Sequence, residues 1–278
     1  MKRMRNLSVL CGLIVLIAAA AFEADADITE AKAENLVTLG GIPEAKKGTF
    51  RAEQMANARV KGAYQLKWDS ITSHLKQMNV AVDQLEVFMR GFKEEKQLEV
   101  WVKQKKDTTW KMYATYPICE NSGELGPKRC QGDYQVPEGF YKVNIFNPYS
   151  NYHLSLGVSY PNASDKIFAC KRDPGGAIMI HGNCVTIGCI PITDDKICEL
   201  YVLCVEAKNS GQKEIPIHLF PVRLNNANLL RIKGAEENTT IRVFWDNLKT
   251  GHDWFEARKK LPKVTVDTKG KYIFSGPG

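Results

Sequence analysis

The sequence predicts a mostly β domain with flanking helices, in the α+β class, and two observations carry that prediction. Beyond Val80, apolar residues recur at every second position in short segments that Gly, Pro, Asn or Lys clusters separate, which is typical of antiparallel strands. Before Val80 the apolar spacing is helical, and further helical spacing follows Pro191 and Thr240. The strands are therefore expected to form the core of the domain and the helices to flank it.

The chain begins with a segment typical of a secretory signal peptide. A basic start that ends at Arg5 precedes an apolar run over residues 7–21, and the small residues Ala24 and Ala26 frame a cleavage site. The apolar run is too short, and wrongly flanked, for a membrane span. We expect residues 1–26 to direct export and to be removed; an uncleaved membrane anchor is the alternative.

Residues 27–85 predict a flexible lead-in followed by an amphipathic helix. Residues 27–48 are polar and rich in small residues. From there to Val80, large apolar residues line one helical face: Tyr64, Trp68, Ile71, Leu75 and Met78. We expect this helix to pack on the domain formed by residues 86–278, and a helix that binds a separate partner is the alternative.

The strands of that domain are rich in β-branched and aromatic residues. They are expected at Val87–Arg90, Leu98–Val102, Met112–Ile118, Phe140–Phe146, His153–Tyr160 and Ala177–Ile180. A helix capped by Thr193 or Asp194 should follow and end near Gly211. A strand over residues 215–219, a short helix closed by Gly251, and a hairpin across Lys269-Gly270 complete the domain.

Residues 181–189, with the sequence HGNCVTIGC, carry the clearest sign of chemistry. A cysteine attacks as a thiolate, so a nucleophilic cysteine needs a nearby base and donors for the oxyanion that forms. The strand before the segment delivers His181 as the base for Cys189, and Gly188 can turn its N–H toward an oxyanion beside the Cys189 N–H. A structural, buried cysteine is the alternative.

This segment resembles the active-site motif of the L,D-transpeptidase catalytic domain (YkuD-type), whose usual form is His-Gly followed by Ser/Thr-His-Gly-Cys. Here Ile187 stands in place of the second histidine and the gap is shorter, as in the YafK-like branch of murein enzymes. Four more stretches are similar to the family in the same order: NSGELGPK at 121–128, PEGFY at 137–141, YPNASD at 160–165 and FPVR at 220–223. The resemblance covers roughly residues 86–274.

The resemblance implies a β-sandwich-like catalytic domain that performs acyl transfer on peptidoglycan stem peptides in the periplasm. Cys189 would attack the carbonyl at the L-centre of a diaminopimelate residue, and His181 would carry the proton. A backbone carbonyl near the motif is expected to orient the imidazole. Tyr160, Asn162 and Arg223 are the implied substrate contacts, since a guanidinium suits a stem-peptide carboxylate.

Members of the YafK-like branch resemble amidases that detach a covalently bound outer-membrane lipoprotein, so release of a wall-anchored lipoprotein by hydrolysis is the expected reaction. Formation of 3-3 cross-links and L,D-carboxypeptidase activity are the alternatives. A peptidoglycan-binding module without catalytic activity is the alternative from another class. The net charge of +7 favours a carboxylate-rich wall polymer, and nucleic acid is a poor partner for an exported chain.

The chain has eight cysteines, and removal of Cys11 with the signal peptide leaves an odd number, so at least one thiol is unpaired. Cys119, Cys130 and Cys170 lie near predicted loops and could pair. A pair between Cys184 and Cys189 would instead make a disulfide-stapled domain without a nucleophile. We expect no cofactor and no metal, because the cysteine and histidine spacing lacks the close pairs of zinc sites.

Overall fold

The computed structural model describes residues 41–42, 45–171 and 173–277, so the predictions for residues 1–26 and for the lead-in up to residue 40 lie outside it. The strands are β1 (Leu85–Phe92), β2 (Gln97–Gln104), β3 (Lys111–Pro117), β4 (Gly139–Asn147), β5 (Ser155–Val158), β6 (Met179–His181), β7 (Ile190–Pro191), β8 (Pro216–Phe220), β9 (Pro262–Val266) and β10 (Tyr272–Pro277). The helices are α1 (Phe50–Met55), α2 (Ala58–Gln77), α3 (Ala163–Phe168), α4 (Thr193–Asn209), α5 (Asn226–Ala235) and α6 (Thr239–Arg258), with a short 3-10 helix at Val82–Gln84.

Within the described residues, eight strands form one sheet in the order β3-β2-β1-β8-β4-β5-β6-β7, and β9 and β10 form a separate hairpin. Most neighbours are antiparallel, while β1 with β8 and β6 with β7 run parallel. This architecture confirms the expected α+β class. No helix in the described part of the chain is both long enough and apolar enough to cross a membrane.

The sheet curls so that the chain leaving β3 reaches the opposite edge strand, β7. The Ile118 N–H donates to the Lys96 carbonyl at 2.8 Å, and the Cys119 N–H donates to the Pro191 carbonyl at 3.0 Å. The second of these bonds brings the start of the loop after β3, residues 118–138, against the strand that follows Cys189. The loop therefore belongs to the surroundings of the predicted site.

The predicted N-terminal helix is present as α2, and it packs against α4, which in turn lies on the sheet. The predicted apolar face of α2 is buried at Tyr64, Trp68, Ile71 and Leu75. The Tyr64 hydroxyl and the Arg51 guanidinium both bond to the buried carboxylate of Glu206 on α4. Because this face of α2 is covered by the domain itself, the packing interpretation is confirmed.

The prediction of a short C-terminal helix closed by Gly251 is wrong, because α6 continues through Gly251 to Arg258. A Cβ at residue 251 would lie 2.5 Å from the rings of Phe140 and Phe274. The glycine thus allows the helix to approach the aromatic side chains of β4 and β10 closely, and it does not end the helix. The next residue, His252, is buried within α6.

A buried ion pair fixes the loop of residues 118–138. The Lys93 ammonium lies 3.1 Å from the Glu138 carboxylate and donates to the carbonyls of Glu124, Gly126 and Val136. Glu138 also accepts the Gly126 N–H at 2.7 Å and the Trp245 indole N–H at 2.9 Å. Both charges are almost completely buried, so this network holds the loop against the sheet and α6.

We predict that Glu138→Gln lowers the free energy of unfolding by about 3 kcal/mol, since it leaves the Lys93 charge buried without a counter-charge. Urea unfolding followed by tryptophan fluorescence measures the change. The matched control is Glu214→Gln, which breaks an exposed pair with Lys142 and should cost less than about 1 kcal/mol. Equal costs for the two variants would contradict the structural role of the buried pair.

Candidate active site

The pairing of β6 with β7 brings Cys189 beside the strand that carries His181. His181 is paired with Pro191 and Ile180 with Ile190, and Cys189 lies in the bend directly before β7. Its thiol contacts the Ala177 carbonyl, just before β6, so Cys189 lies near the start of β6 and His181 at its end.

His181 is buried, and its ring is fixed on two sides. Nδ1 lies 2.5 Å from the Gly182 carbonyl oxygen, and the Tyr152 ring stacks on the imidazole with centroids 4.6 Å apart. The Gly182 carbonyl is the orienting group that the sequence could not name. With Nδ1 as the donor, Nε2 is the nitrogen that can accept a proton.

Burial lowers the pKa of His181 below the ordinary value for histidine, and the hydrogen bond to the Gly182 carbonyl opposes that effect. The folded protein therefore holds His181 neutral at pH 7. A neutral imidazole is the form that a general base requires.

The Cys189 thiol is half-buried and donates to the Ala177 carbonyl at 3.7 Å. Burial raises its pKa, while the Met179 N–H and the positive charge of Lys128 act in the opposite direction. The thiol and imidazole are not hydrogen-bonded to each other as they stand. Both are neutral at pH 7, so the thiol must rotate toward His181 and lose its proton as it attacks.

Two disulfides occur within the described residues, and neither involves Cys189. Cys119 pairs with Cys184, and Cys130 pairs with Cys170. The alternative in which Cys184 and Cys189 pair is therefore wrong, because Cys184 is bonded to the loop after β3. In the same part of the chain the thiols of Cys189, Cys198 and Cys204 are free, and the latter two are buried.

The structure does not leave the Gly188 N–H available as an oxyanion donor. This N–H donates to the Thr186 hydroxyl at 3.1 Å, and the same hydroxyl donates to the Cys189 carbonyl at 2.8 Å. Gly188 has a φ of 134°, a value that favours glycine. The Cys189 N–H donates to no group of the described chain, so it is the backbone donor that remains open.

Tyr160 and Asn162 are engaged in holding the fold together. The Tyr160 hydroxyl donates to the Pro174 carbonyl at 2.9 Å. Asn162 caps α3, accepting the Asp165 N–H, and its amide donates to the Phe140 carbonyl at 3.1 Å and the Tyr272 hydroxyl at 2.8 Å. Their role as substrate contacts stays a prediction, and the structure adds a structural role for each.

Arg223 lies beside β1 and β2, and the structure does not bring it to Cys189. Its guanidinium bonds to the Glu99 carboxylate at 2.6 Å and to the Gln97 amide oxygen at 2.7 Å, and it stacks on the Phe92 ring. A carboxylate already neutralises this cation. Recognition of a stem-peptide carboxylate by Arg223 stays a prediction. It requires that the guanidinium bind the substrate carboxylate and Glu99 at the same time.

Sequence reasoning missed three residues that surround the pair. Tyr152 covers the imidazole, Thr186 braces the loop before Cys189, and Lys128 is a buried cation that acts on the thiol. The Lys128 ammonium is held by Asp133 and by the Cys130 carbonyl at 2.8 Å. Lys128 lies in one of the stretches that resemble the family, and that resemblance was the signal that could have identified it.

Comparison with known proteins identifies the family. Residues 91–219 match the family described as YkuD, L,D-transpeptidase catalytic domain. The chain is 37% identical over 193 residues to an Escherichia coli K12 protein named "Putative L,D-transpeptidase YafK", across 69% of this chain and 74% of that protein.

Two solved structures are similar to part of the chain at low sequence identity. The helical cell shape determining protein Pgp2 from Campylobacter jejuni has a TM-score of 0.39 and 18% identity, over 66% of this chain and 74% of that chain. Bd1075 from Bdellovibrio bacteriovorus has a TM-score of 0.35 and 20% identity, over the same shares. From the family match and the identity to the Escherichia coli protein, we conclude that this chain belongs to the L,D-transpeptidase family, with a YkuD-type catalytic domain.

Proposed function

We propose that this protein is an exported cysteine enzyme that cleaves peptidoglycan stem peptides through a thioester on Cys189. The observation that carries the proposal is the placement of an unpaired thiol directly before β7 and a neutral imidazole at the end of the neighbouring strand β6, with the Gly182 carbonyl fixing the imidazole. This geometry supplies a nucleophile, a base and a set tautomer.

In the first half-reaction the Cys189 thiol rotates toward Nε2 of His181, which takes the thiol proton as the sulfur attacks the carbonyl carbon at the diaminopimelate L-centre. The imidazolium then gives that proton to the leaving amine as the carbon–nitrogen bond breaks. The products are a thioester and a free amine. The oxyanion accepts the Cys189 N–H, and the Gly188 N–H can join only if it leaves the Thr186 hydroxyl.

In the second half-reaction His181 takes a proton from water, the hydroxide oxygen attacks the thioester, and the thiolate leaves and regains the proton. An amine in place of the water would give a transpeptidation product. We propose hydrolysis, with a wall-anchored lipoprotein as the leaving amine. The compact motif with Ile187 before Gly188 supports this choice because it is similar to the branch that carries such amidases.

We further propose that the protein works in the periplasm. The basic start, apolar run and cleavage site of the first 26 residues support export. The two disulfides support it independently, because such bonds persist in oxidising compartments.

We expect the alkylation rate of Cys189 by iodoacetamide to rise steeply with pH and to have an apparent pKa above about 8.5, the ordinary value for a thiol. The reason is that burial outweighs the groups that favour the thiolate. Mass spectrometry of the intact protein at pH 6 to 10 measures the rate. Cys189→Ala is the control, since Cys198 and Cys204 are buried. A rate that is already at its plateau at pH 7 would show a preformed thiolate and contradict the neutral pair.

We expect digestion of purified wall sacculi that carry bound lipoprotein to release lipoprotein fragments, with Cys189→Ala slower by about a thousandfold or more. Mass spectrometry of the muropeptides measures the products. The matched control is Cys198→Ala, which removes a buried thiol beside His153 and should keep the wild-type rate.

Other products would identify other reactions. New 3-3 dimers would indicate transpeptidation, and trimming of tetrapeptides to tripeptides would indicate a carboxypeptidase; either would contradict the amidase proposal. No change in any sacculus would contradict the enzyme itself and favour the binding module.

A further inference from the structure

One peptide unit links His181 to a carboxylate that no sequence motif identifies. The carbonyl of the Gly182–Asn183 peptide lies 2.5 Å from His181 Nδ1, and the N–H of the same peptide donates to Asp194 Oδ1 at 2.8 Å. We infer that Asp194 is a positioning residue, which fixes and polarises this peptide and thereby the imidazole. Its contribution to catalysis rests on the proposed function.

The two hydrogen bonds prevent rotation of the peptide. In a trans peptide the C=O and the N–H point in opposite directions, so His181 and Asp194 hold the unit from its two sides. The preceding Gly182 N–H is also bonded, to the Tyr152 carbonyl at 3.1 Å. The carbonyl that orients the imidazole is therefore held in place by its neighbours along the chain as well as by the imidazole.

Gly182 makes the approach of the carboxylate possible. A Cβ at residue 182 would overlap Asp194 Oδ1 and lie 2.9 Å from the Tyr152 carbonyl oxygen. Any other residue here would push the carboxylate away from the Asn183 N–H. The glycine after His181 thus allows this peptide to pack closely against the first turn of α4.

The carboxylate also acts on the charge that forms during the reaction. A negative charge on the N–H side of an amide increases the negative potential at its oxygen, since chained hydrogen bonds polarise one another. The carbonyl then stabilises the imidazolium that forms when His181 takes the thiol proton. Burial and the hydrogen bond to the Gly182 carbonyl are the two causes that shift the pKa of His181. Asp194 therefore acts on the imidazole indirectly, through the Gly182–Asn183 peptide.

Asp194 lies in the first turn of α4, at the positive end of the helix dipole. Its neighbour Asp195 has the same charge in the same turn, but its side chain is 57% exposed and pairs with Lys67 and Lys196. Asp195 therefore provides a matched control for charge and helix dipole.

The test is a titration of His181 by NMR in protein with ¹⁵N-labelled histidine, comparing wild type, Asp194→Asn and Asp195→Asn. The amide oxygen that Asp194→Asn introduces would keep an acceptor for the Asn183 N–H, so that variant loses only the charge. We expect the pKa of His181 to fall by about half a pH unit or more in Asp194→Asn and to stay unchanged in Asp195→Asn. No fall in Asp194→Asn, or an equal fall in both variants, would overturn the inference.

A kinetic measurement connects the same variants to the reaction. The kcat for lipoprotein release should fall about threefold or more in Asp194→Asn with KM unchanged, the factor that half a pKa unit represents. An unchanged kcat would overturn the catalytic part of the inference. If the wild type releases nothing, the proposed function fails, while the NMR titration still decides whether Asp194 acts on His181.

Discussion

The parallel pairing of β6 with β7 is the constraint on which the site depends, because it brings the segment that carries the thiol beside the strand that carries the imidazole. Parallel neighbours are usually joined by a crossover of about a dozen residues or more, and here only residues 182–189 make the connection. Such a short connection needs anchors. The Cys119–Cys184 disulfide, the Thr186 hydroxyl and the Asp194 carboxylate hold it at its middle and at both ends.

Burial determines the protonation state of the site. It lowers the pKa of His181 and raises that of Cys189, so each group is neutral at pH 7. In the proposed reaction, such a neutral pair carries no separated charge until the sulfur attacks. The Met179 N–H, the Lys128 ammonium and the polarised Gly182 carbonyl are then positioned near the charges that form, where a partly dry site makes each interaction stronger.

The strands other than the two-residue β7 could be predicted from the sequence, because a two-residue period reports which face is buried. The helix of residues 193–209 could be predicted from its apolar stripe, but the expected cap at Thr193 or Asp194 is wrong, since the helix begins after Ile192 without a side-chain cap. The end of α6 could not be predicted, since glycine commonly ends a helix. Only the contact with Phe140 and Phe274 shows that Gly251 instead allows close packing. Neither α3 nor α5 was expected: each is short, and in α5 only Leu229 and Ile232 are buried.

The sequence by itself identified the candidate pair, since a thiol and an imidazole near a glycine-bearing turn are a local chemical pattern that also resembles a family motif. Only the tertiary structure decided what surrounds the pair. The two disulfide pairings, the ion pair of Arg223 with Glu99 and the hydrogen bond from the Asn183 N–H to Asp194 all depend on how the fold brings separate segments together. Periodicity and spacing record neighbours along the chain, and these contacts join residues whose separation in sequence does not reveal their separation in space.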